Sequence, residues 1–310
     1  MQPDPHTPAS RSAARAPAPS AASAASAPSL FSRRNLLKRA AAYAALPVVA
    51  GVYATQVEPF WPVFHEIGFP IRNLPRSFDG YRIAQITDMH AGETPLPYLR
   101  SVLDRVKQLQ PDLLAVTGDL THHDPAQVEP ICRLLSTFNI PVLVSYGNHE
   151  YGIHRGDETA CAELADLMQT TLKRFGLTLL RNSTAAIEHP DGPLVFAGLD
   201  DLWFGDYQPA ATFANIRRDG PIIALSHNPD TSVELDPLQP DLILSGHTHG
   251  GQVRIPLLGP LYLNVFNRHH DQGLFHLKNS RLYVCRGIGY IHRIRFNCRP
   301  EIPIFRLERV

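Results

Sequence analysis

The chain has 310 residues, and 29 Lys plus Arg balance 29 Asp plus Glu, so the formal net charge is +0 and nothing electrostatic favours nucleic acid as a partner. A hydrophobic content of 44% supports a large core once the first segment is set aside. The cysteines Cys132, Cys161, Cys285 and Cys298 form no C-x-x-C pair; an even count in an exported protein permits disulfides, and buried free thiols are the expected state.

Residues 1–30 are almost all Ala, Ser and Pro, too poor in large apolar groups to offset their ordering entropy, and read as a disordered tail. Ser32-Arg33-Arg34-Asn35-Leu36-Leu37-Lys38 follows, then an apolar run from Ala40 to Tyr53. A charged stretch before a short apolar one reads as a targeting signal, and the paired arginines resemble a twin-arginine export signal over residues 31–55. The resemblance implies the twin-arginine export machinery as a partner. It also implies the bacterial cell envelope, periplasm or outer face of the cytoplasmic membrane, as the location. The apolar run contains Pro47 and is short for a membrane span. Val52-Tyr53-Ala54 is an imperfect cleavage site, so the segment is either removed or kept as an anchor with membrane contact.

From residue 56 to 310 the composition is that of one globular domain. A first strand is expected within 60–71. After the turn at Asp79-Gly80, residues 82–87 form a strand that ends at Asp88-Met89-His90. Leu99, Val102, Leu103, Val106 and Leu109 recur at helical spacing over 95–110, and Pro111 stops that helix. The strand 113–117 ends at Gly118-Asp119, a helix is expected over 125–138, and the strand 141–145 ends at Gly147-Asn148-His149-Glu150. A further helix is expected over 158–175. Later strands are expected at 194–197, 222–225, 242–244 and 282–285. Alternation of strand and helix argues for parallel β-α-β units, with a second half richer in strands, and hence for a β-sandwich flanked by helices.

The side chains just past these strands are Asp88, His90, Asp119, Asn148, His149, His227, His247 and His249. In open α/β sheets, ligands gather outside the carboxyl ends of strands. The donors are carboxylate, imidazole and amide, without thiolate, which suits manganese, iron or zinc. Seven ligands among these eight are too many for one tetrahedral ion and suit two divalent ions about 3.5–4 Å apart that share a carboxylate. In an extended chain, side chains two apart point the same way, so His247 and His249 are expected to face one point; the same rule turns His149 away from Asn148. The glycines around His247 and His249 allow a sharp turn and close approach.

The blocks Asp88-x-His90, Gly118-Asp119, Gly147-Asn148-His149-Glu150, His227 and Gly246-His247-x-His249 resemble the signature of the calcineurin-like metallophosphoesterase family, in order and approximate spacing. With Pro75-x-x-Phe78-x-Gly80 and Gly250-Gly251-Gln252-Val253-x-x-Pro256, the likeness extends to the exported or membrane-associated branch exemplified by YkuE and YaeI. The resemblance implies a four-layer α/β/β/α sandwich with mixed β-sheets flanked by helices. It implies that Asp88, His90 and His249 hold one metal ion, that Asn148, His227 and His247 hold the other, and that Asp119 bridges. His149 would lie beside the substrate phosphate as acid or charge stabiliser. The implied activity is hydrolysis of a phosphodiester or pyrophosphate bond by metal-activated hydroxide. A twin-arginine route carries folded proteins, which suits a protein that loads its metals before export.

Substrates consistent with this are a phosphate-ester small molecule, a lipid or a cell-envelope component. One alternative is a lipid-precursor hydrolase similar to UDP-2,3-diacylglucosamine pyrophosphatase. Others are a non-catalytic metal-binding scaffold and an interaction protein that uses residues 1–30 as a spacer. His122 and His123 either line the site or form a solvated turn. Asp200 and Asp201 either orient ligands or cap a turn. Trp203, Phe204 and Tyr207 form an apolar wall or pack in the core, and Arg254 is a candidate phosphate partner.

Overall fold

The computed structural model describes residues 33–152 and 161–310. The expected tail, Ser32, and positions 158–160 of one expected helix lie outside the described residues. The chain divides into two units, Met1–Val48 and Val49–Val310.

The described part of the first unit is helical. Helix α1 (Arg33–Val52) runs into the second unit and carries Pro47 in its interior. Leu36, Leu37, Tyr43, Leu46, Val48, Val49 and Val52 are all exposed along it. With the turns that follow, Arg33–Phe60 is long and apolar enough to cross a membrane. The helix is longer than the apolar run read from the sequence, because it starts at the arginines and Pro47 does not end it.

In the second unit, six strands form one sheet: β1 (Val63–Ile71), β2 (Arg82–Ile86), β3 (Leu113–Thr117), β4 (Val142–Ser145), β5 (Thr178–Leu179) and β14 (Glu301–Arg309). Their order is β1-β14-β2-β3-β4-β5. A second sheet takes β6 (Ser183–Ile187), β7 (Leu194–Gly198), β8 (Ile222–Leu225), β9 (Leu242–Ser245), β12 (Gly273–His276) and β13 (Arg281–Val284), in the order β12-β13-β9-β8-β7-β6. β2, β3 and β4 are mutually parallel, as are β7, β8, β9 and β13. β14 lies antiparallel to β2, and β6 and β12 are antiparallel edges, so both sheets are mixed. A short hairpin pairs β10 (Arg254–Ile255) with β11 (Gly259–Pro260).

Between the sheets, Phe69, Ile83, Leu113 and Phe305 of the first meet Phe196, Ile223, Leu242 and Leu244 of the second. Outside the first sheet, Ile86, Leu114, Val116 and Val144 pack under α2 (Leu96–Gln108), α3 (Val128–Leu135) and α4 (Ala162–Arg174). Outside the second, Val195, Ile222, Ile243 and Val284 pack with Phe213 of α5 (Pro209–Ala214) and Leu235 of α6 (Ser232–Leu235). The layers are therefore α/β/β/α. β3, β4, β7, β8 and β9 are buried on both faces, which is why their sequences read as unbroken apolar runs.

Several details depart from expectation. The 125–138 segment is a 3₁₀ turn, Pro125–Gln127, followed by α3. The C-terminal strand β14 was not foreseen, yet it lies between β1 and β2. Cys132, Cys285 and Cys298 are buried free thiols, whereas Cys161, also free, is exposed.

Candidate metal centre

Asp88 follows β2, Asp119 follows β3, Asn148 and His149 follow β4, His227 follows β8, and His247 and His249 follow β9. The two sheets meet at this end. His227 Nδ1–H donates to the Thr117 carbonyl at 2.7 Å, Gln85 Nε2 donates to the Ser245 carbonyl at 2.9 Å, and the His247 N–H donates to the Asp88 carboxylate at 3.1 Å. All eight residues, His90 included, are buried.

The local backbone explains how the side chains converge. Asp88 (φ 53°), His90 (φ 45°), Asp119 (φ 55°), His247 (φ 69°) and His249 (φ 50°) are all left-handed. Residues with a Cβ rarely adopt that region, at a cost of roughly 1–2 kcal/mol each. Backbone hydrogen bonds hold two of these turns: Asp88 N–H donates to the Gly118 carbonyl and His90 N–H to the Asp119 carbonyl. The extended-chain reasoning applied to His247 and His249 therefore fails, since left-handed turns aim the rings. Asn148–Tyr151 is a 3₁₀ turn, so strand alternation does not separate His149 from Asn148 either. Close approach at glycine does hold: a Cβ on Gly246 would stand 2.1 Å from Thr87 Oγ1 and 2.4 Å from the Asp88 carboxylate.

Among the described residues, donors gather as Asp88 with His90 and His249, as Asp119 with His227 and His247, and as His90 with His122 and His149; the first two groups share no residue. His90 Nε2 stands 3.0 Å from His249 Nε2, and His249 Nε2 stands 3.2 Å from Asp88 Oδ1. His247 Nδ1 stands 3.2 Å from His227 Nε2, which is 3.1 Å from Asp119 Oδ2. The same Asp119 oxygen is 3.6 Å from His90 Nε2, so it faces a histidine of each of those two groups. Asp88 Oδ1 also looks both ways, but its approach to His227 is longer, at 4.0 Å. Carbonyl partners set two tautomers. His227 spends its Nδ1 proton on Thr117 and His247 its Nε2 proton on Asn264, leaving His227 Nε2 and His247 Nδ1 turned to the cluster.

Burial keeps the His90 and His249 rings neutral, well below their ordinary range, and burial plus the His227 charge lowers His247 to about 3. Burial would lower His227 as well, but the Asp119 and Asp88 carboxylates outweigh it and raise it to about 10. Burial pushes Asp88 up to about 7, with the Asp119 charge adding to the rise. Three neutral imidazoles, a fourth held protonated by the carboxylates whose proton a cation would displace, and two buried carboxylates converge on one cleft; with oxygen and nitrogen donors only, this set fits divalent cations.

His149 Nε2 stands 4.0 Å from Asp119 Oδ2, and its N–H donates to Asp119 Oδ1 at 3.0 Å. The His122 ring stacks on His149 with centroids 4.9 Å apart, and its Nδ1 lies 3.3 Å from His90 Nδ1. His123 is 4.5 Å from His149, so both half-buried histidines line the site rather than forming a solvated turn. Asp201 caps the following turn, accepting from the N–H groups of Trp203 and Phe204. This presents Trp203 edge-on to His247 at 4.6 Å, while Phe204 and Tyr207 pack against the core. Asp200 accepts from Tyr151 and Arg181. Arg254 pairs with Asp271 at 2.8 Å and donates to the Gly250 carbonyl, bracing the histidine loop.

Two residues that sequence reasoning gave no role support the site. Glu150 accepts the N–H groups of Asp119, Leu120 and Gly147 at 2.7–2.9 Å and so ties two strand ends together. Arg295 is fully buried, donates to the carbonyls of Gly289 and Arg286, and stands 3.5 Å from His249 Nδ1. Glu150 was visible inside its motif. Arg295, 46 positions from His249, had no local signal.

The calcineurin-like phosphoesterase family model matches residues 81–251. The chain belongs to that family, and it is a phosphoester hydrolase by class. YkuE of Bacillus subtilis, an uncharacterized metallophosphoesterase, is 32% identical over 90% of this chain and 98% of its own. The phosphodiesterase YaeI of Escherichia coli is 30% identical over 90% of this chain and 100% of its own. The UDP-2,3-diacylglucosamine pyrophosphatase LpxG of Chlamydia trachomatis is 30% identical over 84% of this chain and 94% of its own.

Proposed function

We propose that the chain hydrolyses a phosphodiester or pyrophosphate bond at a site for two divalent ions. The observation that carries this is Asp119 Oδ2, buried 3.1 Å from His227 and 3.6 Å from His90, between two separate donor groups. Asp88, His90 and His249 would hold one ion, Asn148, His227 and His247 the other, and Asp119 both. When bound, such ions acidify water and neutralise charge on phosphoryl oxygens. The residues do the rest. Thr117 and Asn264 fix the ligating tautomers, Glu150 fixes the loops, and His149, kept neutral by burial, offers an N–H to a phosphoryl or leaving oxygen.

The names of the Escherichia coli and Chlamydia relatives support a diester or a lipid-linked pyrophosphate over a monoester. Ser32-Arg33-Arg34 and the exposed apolar helix support twin-arginine export and action at the cell envelope. Manganese is the first metal to test, with iron and zinc beside it. The test is turnover of bis-p-nitrophenyl phosphate by metal-stripped protein with each ion added back, against p-nitrophenyl phosphate. No turnover of either ester with any of the three ions would favour the scaffold reading.

A further inference from the structure

The β10–β11 hairpin and the loop after it place an apolar cluster in solvent. Leu257 is 106% exposed, Leu258 80% and Phe266 83%, with Ile255, Leu261 and Tyr262 also exposed. Leu257 is held left-handed at φ 69°, a conformation bulky residues rarely take, and its side chain gains no packing from the described residues in return. A folded chain seldom keeps so large an apolar projection without a use for it.

Three further observations point to what meets it. First, charge: residues 252–270 contain no Asp or Glu, nor do residues 272–300, while Arg268 and Arg293 are exposed. Second, continuity with the site: a cleft of about 200 Å³ is lined by His247 and His249 at one side and by Tyr262, Asn264, Ile291 and His292 at the other. Third, the way the chain enters this unit. Phe296 exchanges backbone hydrogen bonds with Gln252 and Arg254 at the hairpin root, the Tyr53 ring packs on Phe296, and Arg295 N–H donates to the Ala54 carbonyl. The final part of the membrane-length segment Arg33–Phe60 thus joins the unit at the root of the hairpin. Beside it Trp61 is exposed, with Arg299 over its ring at 3.9 Å, the pairing of an aromatic ring and a cation that suits a bilayer interface.

We infer that the 255–266 projection inserts into an anionic phospholipid bilayer and seats the mouth of the metal cleft on its surface, so that the phosphoester cleaved belongs to a membrane-borne molecule. The leucines enter the acyl boundary, Arg268 and Arg293 meet lipid phosphates, and Tyr262 marks the path from bilayer to His247. The substrate part of this inference rests on the phosphoesterase reading of the cleft; the insertion itself does not.

The test uses the full-length chain with Cys161→Ser, carrying an environment-sensitive fluorophore at Leu258→Cys, and vesicles of phosphatidylglycerol and phosphatidylcholine. Lys107→Cys, at the last turn of α2 and so at the opposite end of the strands, carries the control probe. The 258 probe is expected to shift to the blue and to be quenched by nitroxide lipids, with the 107 probe unmoved and binding weaker on pure phosphatidylcholine. A 258 probe that stays in water on vesicle-bound protein overturns the inference. So does shielding that grows with protein concentration in the absence of lipid, which would assign the face to a second copy. Leu257→Glu with Leu258→Glu is expected to lower turnover of a vesicle-borne phosphodiester about tenfold or more while leaving bis-p-nitrophenyl phosphate within about twofold. Equal turnover of the vesicle-borne ester by variant and wild type overturns the seating of the cleft. Insertion should persist in Asp119→Ala. Insertion without turnover of any ester by the wild type would sink the phosphoesterase reading and leave the docking surface standing.

Discussion

Asp119 and His149 are neighbours in space with separable tasks. Asp119 turns one oxygen to histidines of both donor groups, so Asp119→Ala should lose both ions; elemental analysis that finds one ion tightly held, with activity kept, would remove the bridging role. His149 contacts Asp119 through its backbone N–H and reaches the cleft with its ring. His149→Ala should therefore keep both ions and the fold, yet lose about 100- to 10,000-fold in turnover. The loss should be larger on alkyl diesters than on p-nitrophenyl esters, whose leaving group scarcely needs a proton. Equal losses would make His149 a stabiliser of phosphoryl charge, and loss of metal would make it a ligand. The stack of His122 on His149 means that the ring is held from behind.

At the scale of elements, the instructive piece is α1 and the turn after it. Tyr53–Val57 is a π-helical turn, Ala54 is buried, and its carbonyl accepts the Arg295 N–H. A peptidase needs an extended, accessible segment, and a folded export substrate would not offer one at Val52-Tyr53-Ala54. The expected outcome is that the membrane fraction holds chain with the α1 sequence intact, read by intact mass; a mature N-terminus at Thr55 would refute retention. Replacing Arg33 and Arg34 with Lys should abolish delivery to the envelope, followed by fractionation, while metal content of the purified variant is unchanged. The parallel strands show a simpler relation of sequence to element. β3, β4, β7, β8 and β9 are each short, apolar and buried on both faces, so the residue that follows stands at a sheet end by default.

Across the whole molecule, β14 connects what lies far apart in the chain. Its first residue, Glu301, pairs with His65 of β1 at 3.0 Å, accepts from Tyr283 of the second sheet, and binds Arg286 at 2.7 Å. Burial alone would raise this carboxyl, but the hydrogen bond from His65, the Arg286 charge and Tyr283 pull it down to about 2. A carboxyl with a depressed folded pKa stabilises the fold above its unfolded value of 4.5, and that share is lost as pH falls from 4.5 towards 2. The share is on the order of 3 kcal/mol. Urea midpoints of wild type and Glu301→Gln should therefore differ clearly at pH 7 and draw together only as pH falls from 4.5 towards 2. A gap that does not narrow with acid would show that the pairing contributes through packing instead.

The features legible in the sequence alone are local. Buried parallel strands leave apolar runs that need no partner to be recognised, and Asp88, Asp119, His227, His247 and His249 stand where such runs stop. Turn chemistry and helical spacing act over a few residues, so α2 and the outline of the layers could be read in order. The remaining features depend on partners distant in the chain. The left-handed turns at Asp88, Asp119 and His247 are paid for by contacts such as His247 N–H to Asp88, 159 positions apart, and no window of sequence contains both partners. Separation along the chain likewise hides the place of β14 between β1 and β2, the buried Arg295 behind His249, and the capture of His122 by the His149 ring. The exposure of Leu257 belongs here too, because an apolar residue in sequence is expected inside, and only the surrounding fold shows that none of the described residues covers it.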